Sequence, residues 1–174
     1  MRIFLQGQIN AGKSTVISKT LDILANESPI ELGGFFTWNS GDDAPEVFMR
    51  PAKACTGAEV NVHKLASFDP DAGRMRCDLS VFELIGTRFL DGCDGADIII
   101  MDELGYMESN APAFRAAVMR ALKCGARVLG TMRLGDVPWL NEIKQSVPIT
   151  LIDVNEKNRD DLPQKLAHML RQPI

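Results

Sequence analysis

The amino-terminal sequence contains the stretch Gly7-Gln8-Ile9-Asn10-Ala11-Gly12-Lys13-Ser14. This stretch has the spacing G-x-x-x-x-G-K-[ST], which is typical of a phosphate-binding loop. The apolar run Ile3–Leu5 before it predicts a short buried strand, and residues 15–24 after it predict an amphipathic helix. In a strand, loop and helix of this kind, backbone N–H groups and the helix N-terminus surround the phosphates of a nucleotide. We therefore expect the whole loop and the adjacent Thr15 to bind a nucleotide.

Two residues of the loop carry side-chain chemistry. Lys13 is expected to reach the β- and γ-phosphates, and Ser14 is expected to offer its hydroxyl to Mg²⁺. The alternative is an ordinary strand–turn–helix corner that matches the pattern by chance. The predicted strand before the loop and the predicted helix after it favour the phosphate-binding interpretation.

Composition sets limits on the class of protein. The chain has 174 residues, of which 45% are hydrophobic and 24% charged. These values predict one globular domain over residues 1–174, which can bury a core without metals or disulfides. The net charge of −4 provides no general polycation, so a nucleic acid partner is not expected.

Cysteine usage and hydropathy indicate where the protein is located. The four cysteines (Cys55, Cys77, Cys93 and Cys124) form no C-x-x-C pair, and no histidine stands at zinc-ligand spacing. Reduced thiols are therefore expected. No stretch approaches the roughly 18 apolar residues of a membrane span. We expect a cytoplasmic monomer with no membrane partner, and an unknown protein partner stays open.

The order of apolar runs and helical patterns predicts the fold class. Strands are predicted at residues 3–5, 34–38, 98–101, 127–131 and 149–154. Helices are predicted at residues 15–24, 80–90, 110–123, 136–145 and 160–171. This alternation predicts an α/β protein with a mostly parallel central sheet and helices on both faces.

Finer features are predicted within this outline. Residues 40–78 are predicted to be an irregular, turn-rich insertion or lid-like segment, with short antiparallel strands at residues 47–50 and 60–65. Ser80 and Glu83 have the spacing of a capping box at a helix start. Asn110 is predicted to cap the next helix, which has Pro112 in its first turn.

A second chemical site is predicted where the most apolar strand ends. Residues 98–101 run directly into Asp102 and Glu103, which is the Walker B pattern. Asp102 is expected to hold Mg²⁺ opposite Ser14, and Glu103 to orient or deprotonate the attacking water. Ligands collect at the carboxyl ends of strands in open α/β sheets, so both sites should converge there. The alternative is a solvated acidic turn.

A further cation near the transferred phosphoryl group would stabilise the transition state. Arg133 follows the strand that ends at Thr131. If that strand lies between the first strand and the Asp102 strand, both residues would point toward the γ-phosphate. Arg133 would then stabilise the charge of the transition state, although a solvated surface arginine is an open alternative. The guanine-reading motif N-K-x-D is absent, so no base preference is predicted.

Several segments spread along the chain resemble one known family. They are the phosphate loop, residues 34–37, Phe82–Leu84, Met101–Glu108, Leu129–Thr131 and Asn158–Pro163. In this order they resemble the nucleoside-triphosphatase family that includes the thermophile and cancer-related nucleoside-triphosphatases. The resemblance implies a RecA-like P-loop fold and slow Mg²⁺-dependent hydrolysis of ATP, GTP and other nucleoside triphosphates to the diphosphate. It also implies that Asn158 and Arg159 approach the nucleotide.

This chain departs from the family pattern at two places. Relatives usually carry Gly where Asn10 stands, and Pro-rich residues at positions 8 and 9. Because Asn accepts a positive φ better than other side chains, the loop is expected to keep its form. Many relatives carry Lys where Tyr106 stands, so a phosphate contact is in question there.

Three functions are compatible with these observations. The first is a stand-alone nucleoside-triphosphatase. The second is a small phosphotransferase, for which residues 40–78 would form an acceptor site or lid. The third is a nucleotide-gated regulatory module, in which hydrolysis only resets a conformation.

Overall fold

The computed structural model describes residues 1–41, 45–53, 61–93 and 95–172. Within these ranges the strands are β1 (Arg2–Gln6), β2 (Leu32–Asn39), β3 (Glu46–Pro51), β4 (His63–Asp69), β5 (Arg74–Cys77), β6 (Ile98–Leu104), β7 (Arg127–Met132) and β8 (Thr150–Asp153). The α-helices are α1 (Lys13–Ala25), α2 (Thr87–Asp91), α3 (Pro112–Lys123), α4 (Pro138–Ser146) and α5 (Leu162–Arg171). A π-helical segment, Val81–Gly86, precedes α2, and a 3₁₀ turn, Met107–Asn110, precedes α3. Cys55 lies outside the described residues.

The strands form one sheet in the order β5-β4-β3-β2-β6-β7-β1-β8. Strands β2, β6, β7, β1 and β8 pair in parallel, which confirms the predicted parallel centre. Strand β7 lies between β1 and β6. This is the strand order that Thr131 and Arg133 require in order to point toward the γ-phosphate. The carboxyl ends of β1, β6 and β7 lie side by side at one edge of the sheet.

Helices cover both faces of the parallel part. Ile98 and Ile100 of β6 pack into a core with α1 and α5, whereas Ile99 and Met101 pack into a second core with α2, α3 and α4. Successive side chains of a strand point to opposite faces, so a doubly covered strand needs apolar residues at every position. Burying each such side chain contributes roughly 1.5 to 3 kcal/mol. The unbroken apolar run in β6 thus follows from its central place.

In the segment predicted to be irregular, most of the described residues lie in strands. Among the described residues, β3, β4 and β5 pair antiparallel and extend the sheet outward from β2. The strand predicted at residues 47–50 is confirmed. The one predicted at residues 60–65 begins later, at His63, and continues to Asp69, while Val60 lies outside the described residues. The edge strand β5 was not predicted, although its four residues follow a period of two, with Arg74 and Arg76 exposed and Met75 and Cys77 partly buried.

Both predicted helix caps are wrong. The Ser80 hydroxyl makes no cap, because it donates to Asp78 Oδ1 at 2.6 Å, and the Ser80 N–H donates to the same oxygen. Glu83 instead accepts the Ala113 N–H in the first turn of α3. Asn110 ends the 3₁₀ turn and does not cap α3. The Glu83 carboxylate, from the π-helical segment, thus caps α3 in place of the predicted Asn110.

No helix in the described part of the chain combines the length and apolar character needed to cross a membrane.

Candidate active site

The loop between β1 and α1 adopts a backbone conformation that depends on its glycines and on Asn10. A Cβ on Gly7 would lie 2.6 Å from the Val154 carbonyl oxygen, so only glycine fits beside the end of β8. Asn10 has φ 62° and Gly12 has φ 94°, both in the left-handed region. The expectation that Asn10 tolerates this conformation is met. The loop therefore keeps a turned backbone despite its departure from the family pattern.

Lys13 arches over the loop. Its ammonium group donates to the carbonyl oxygens of Gly7 at 3.1 Å and Gln8 at 3.0 Å. Helix α1 begins at Lys13 with no side-chain cap and no acidic residue in its first turn. Among the described residues no side chain caps its first N–H groups, which at a helix N-terminus point away from the helix and toward the preceding loop. A fixed cation and a helix N-terminus meet at one place, which suits a polyphosphate.

The remaining loop residues differ in exposure. Gln8, Ile9 and Asn10 form the exposed tip of the loop, and Ser14 and Thr15 are also exposed. Ala11 packs against the core beneath α1, and its N–H donates to the Gln8 carbonyl at 3.2 Å. The loop is thus anchored at its base and open to solvent at its tip.

Asp102 is a buried acid that joins the loop to the central strands. Its side chain is buried, with a residue exposure of 2%. It accepts a hydrogen bond of 2.8 Å from the Thr131 hydroxyl, and it also contacts the Ser14 hydroxyl. Burial raises the pKa of Asp102 to about 6, although these two hydrogen bonds and the charge of Lys13 oppose the rise. The predicted convergence of the two sites is therefore present at this residue.

Glu103 lies beside Arg133 at the mouth of the site. Arg133 Nη1 and Glu103 Oε1 are 3.6 Å apart, and each side chain is about one-third exposed (35% and 34%). The Glu103 N–H donates to Thr37 Oγ1 at 3.1 Å, and the Arg133 N–H donates to the Leu104 carbonyl at 2.9 Å. Backbone contacts therefore fix the position of each residue, while the carboxylate and guanidinium stay reachable by water.

The turn after β6 is held by two buried side chains that the sequence analysis did not single out. Glu108 accepts the Gly105 N–H, and Trp139 Nε1 donates to the Gly105 carbonyl at 2.6 Å. Burial raises the pKa of Glu108 to about 7. Thr37 was likewise not assigned a role. It follows Phe36, which pairs with Asp102 in β6, and this register brings Thr37 to Glu103.

The loop after β8 closes the other side of the site. Asn158 holds this loop together, since its amide donates to the Asp153 carbonyl at 2.7 Å and accepts the Asn155 N–H at 2.9 Å. Arg159 lies over Gly12, where a Cβ would be 3.7 Å from Arg159 Cδ. The structure therefore brings Arg159 to the phosphate loop and gives Asn158 a role in shaping the loop.

The oxygen donors at this site fit Mg²⁺. Ser14 and Asp102 offer a hydroxyl and a carboxylate in contact with each other, and Mg²⁺ prefers such hard oxygen ligands. A divalent cation would also favour the ionised form of a carboxyl group that burial otherwise disfavours. In the described ranges, no group of three or more His, Cys, Asp or Glu side chains could hold a metal.

The fold and the site together define a class of protein. A phosphate loop follows β1, an acidic residue lies on β6, and β7 separates these two strands. This arrangement is that of a RecA-like P-loop protein. The family model described as NTPase matches residues 2–167, and the chain belongs to this family.

Individual relatives agree with this assignment over the full length. The chain is 29% identical to nucleoside-triphosphatase THEP1 of Methanosarcina barkeri, over 99% of this chain and 98% of the relative. The crystal structure of THEP1 from the hyperthermophile Aquifex aeolicus has a TM-score of 0.79 at 22% identity and covers 99% of this chain and 100% of its own. The solution structure of a human cancer-related nucleoside triphosphatase has a TM-score of 0.70 at 22% identity, with coverage of 98% and 97%. The two structures support the fold.

Proposed function

We propose that this chain hydrolyses nucleoside triphosphates, including ATP and GTP, to the diphosphate and phosphate, with Mg²⁺ as cofactor. One observation carries the proposal: the Ser14 hydroxyl of the phosphate loop contacts Asp102 on β6. This contact joins an anion-binding loop to a buried acid in one cleft. Membership of the NTPase family, with full-length relatives named nucleoside-triphosphatases, supports the same activity.

The phosphate loop would bind the substrate. The backbone of residues 7–12 and the N–H groups at the start of α1, including that of Thr15, would face the phosphates. Lys13 would exchange its two carbonyl contacts for the β- and γ-phosphate oxygens. Arg159 would bind from the β8 side, because it already lies over Gly12.

Ser14 and Asp102 would hold Mg²⁺. When bound, the ion would neutralise charge on the β- and γ-phosphates. Thr131 would act through Asp102, since its hydroxyl donates to that carboxylate and fixes the orientation. Both side chains are almost fully buried, so this orientation is set by the fold.

Glu103 and Arg133 would serve the chemical step. Glu103 would accept a hydrogen bond from the attacking water and orient it for in-line attack. Arg133 would donate to the γ-phosphoryl oxygens, where negative charge spreads in the transition state. The 3.6 Å separation of their charged groups supports this proposal, because a carboxylate and a guanidinium then lie close together.

The proposal is tested by measuring phosphate release from a panel of purified nucleoside triphosphates. Each is assayed with Mg²⁺ and with a chelator, and Lys13→Ala serves as the inactive control. Steady release from several triphosphates that requires Mg²⁺ and no acceptor is the expected result. Tight binding with negligible release until a protein partner is added would contradict it and favour a regulatory module.

A second candidate is a small phosphotransferase, and one observation favours it. A groove of about 670 Å³ lies between β5 and the 3₁₀ turn, lined in part by Arg74, Arg76 and Tyr106. Its volume is in the range of small-molecule sites. Labelled γ-phosphate that moves to a hydroxyl acceptor, with little release to water, would favour this candidate over hydrolysis.

We further propose that the protein is a cytoplasmic monomer. Cys77 and Cys124 are not in disulfides, which suits a reducing compartment. A size measurement with and without nucleotide tests the monomer, and a stable dimer would contradict it.

A further inference from the structure

The Arg133 side chain contacts two groups at the mouth of the site. Its guanidinium pairs with Glu103 on one side, and its Cζ lies 4.7 Å from the centre of the Tyr106 ring on the other. A cation over an aromatic face at this distance is attracted by the ring quadrupole. Tyr106 is itself 52% exposed, so its ring does not serve to fill the core.

The backbone beneath this contact is rigid. Gly105 is fixed through its N–H by Glu108 and through its carbonyl by Trp139, and both of these side chains are buried. A Cβ on Gly105 would lie 3.5 Å from Arg133 Cδ, so the arginine side chain lies directly against this glycine. The turn is therefore rigid, and it holds the Tyr106 ring against the Arg133 side chain.

We propose that Tyr106 is a positioning residue for hydrolysis, which acts by holding the Arg133 guanidinium beside Glu103. This inference rests on the proposed role of Arg133 at the γ-phosphate. An arginine side chain has many rotamers, and one that is free in solvent must be ordered in the transition state. The ring restricts those rotamers beforehand. Its contribution is therefore made in the chemical step and not in the binding of the triphosphate.

The test compares Tyr106→Leu with Tyr106→Phe. Leucine keeps an apolar side chain but has no ring face, and we expect kcat to fall about threefold to tenfold with KM nearly unchanged. Phenylalanine keeps the face, and we expect turnover within about twofold of the parent chain. Phe68→Leu, at an exposed aromatic residue of β4, is the matched control and should leave both constants unchanged. All rates are expressed per folded molecule, as measured by circular dichroism.

Other outcomes would overturn the inference. A rise in KM with unchanged kcat in Tyr106→Leu would show that the ring binds substrate. A loss in Tyr106→Phe equal to that in Tyr106→Leu would show that the hydroxyl matters and the ring face does not. Normal kinetics in Tyr106→Leu would show that the contact has no role in turnover.

A double variant separates this inference from the function on which it rests. In an Arg133→Ala background, Tyr106→Leu should cause no further loss, because the ring then has no guanidinium to hold. A further loss of threefold or more would overturn the inference. If Arg133→Ala alone turns over normally, the proposed role of Arg133 fails. If Arg133→Ala is slow and Tyr106→Leu is normal, only the role of Tyr106 fails.

Discussion

The parallel and antiparallel parts of the sheet differ in what they carry. The phosphate loop follows β1, Asp102 lies near the carboxyl end of β6, and Arg133 follows β7, and helices cover both faces of these strands. Strands β3, β4 and β5 continue the same sheet but are mostly half-buried. The candidate catalytic and metal-binding residues all belong to the parallel part or to the loops that follow its strands.

This difference has a physical reason. Parallel strands place their carboxyl ends and the following loops at one edge, so residues far apart in sequence meet there. Covered faces then exclude water from Asp102 and fix its partners. Successive antiparallel strands run in opposite directions, so their carboxyl ends lie at alternate edges and offer no such convergence. Matched substitutions in the two parts should therefore have different effects.

The largest expected difference is between two lysines. Lys13→Ala should lower turnover on the order of a thousandfold, because it removes the cation from the phosphate loop. Lys64→Ala in β4 removes only an exposed ion pair with Glu46 and should leave turnover unchanged. Steady-state phosphate release measures both, and equal losses would remove the distinction between the two parts.

Two glycines provide the next comparison, now in stability. Gly34 has φ +85°, and a Cβ there would lie 2.0 Å from the Ile100 carbonyl oxygen in β6. Gly34→Ala should therefore lower the free energy of unfolding by roughly 3 to 5 kcal/mol. Gly73 has φ +60° with nothing within 4 Å, so Gly73→Ala should cost about 1 kcal/mol. Denaturant titration checks the order, and a larger loss at Gly73 would contradict it.

Two arginines, one in each part of the sheet, are expected to differ in their effect on kcat. Arg133→Ala should lower kcat on the order of a hundredfold and change KM much less, because its contact with the γ-phosphate strengthens in the transition state. Arg74→Ala, on the edge strand β5, should leave kcat and KM for hydrolysis unchanged. A rise in KM alone for Arg133→Ala would assign this arginine to ground-state binding.

The smallest expected effect concerns pH and Glu108. Burial raises the pKa of Glu108 from its ordinary value of 4.5 to about 7. Between these pH values the folded chain keeps a proton that the unfolded chain has released, so stability falls as pH rises through this window. Glu108→Gln keeps an acceptor for Gly105 without titrating. From pH 5 to 8 the parent chain should therefore lose about 2 kcal/mol relative to this variant. Parallel pH profiles would contradict this account.

The sequence predicted the parallel part well, because strong local patterns specify it. The spacing from Gly7 to Ser14 needs particular glycines, and the run Ile98–Met101 needs two covered faces. Each pattern has few other physical explanations. The meeting of Ser14 with Asp102 followed from the rule that parallel strands end at one edge.

The remaining features depend on contacts that no local pattern reveals. The capping group of α3 comes from Glu83, thirty positions before Ala113 along the chain. Strand β4 buries the adjacent residues Leu65 and Ala66 and therefore lacks a simple alternation, and β5 has only four residues. The clamp on Gly105 needs Trp139 from α4, which is adjacent only in the folded chain. Assignments of this kind require the tertiary structure.

The proposed hydrolysis depends most on Glu103, which would activate water in a cleft formed by the phosphate loop and β6. The most direct measurement is triphosphate binding and phosphate release by Glu103→Gln in the same sample, with Glu46→Gln in β3 as the control. We expect Glu103→Gln to bind a triphosphate with near-normal affinity and to release phosphate on the order of a hundredfold more slowly. We expect Glu46→Gln to resemble the parent chain. Normal phosphate release by Glu103→Gln would contradict the account.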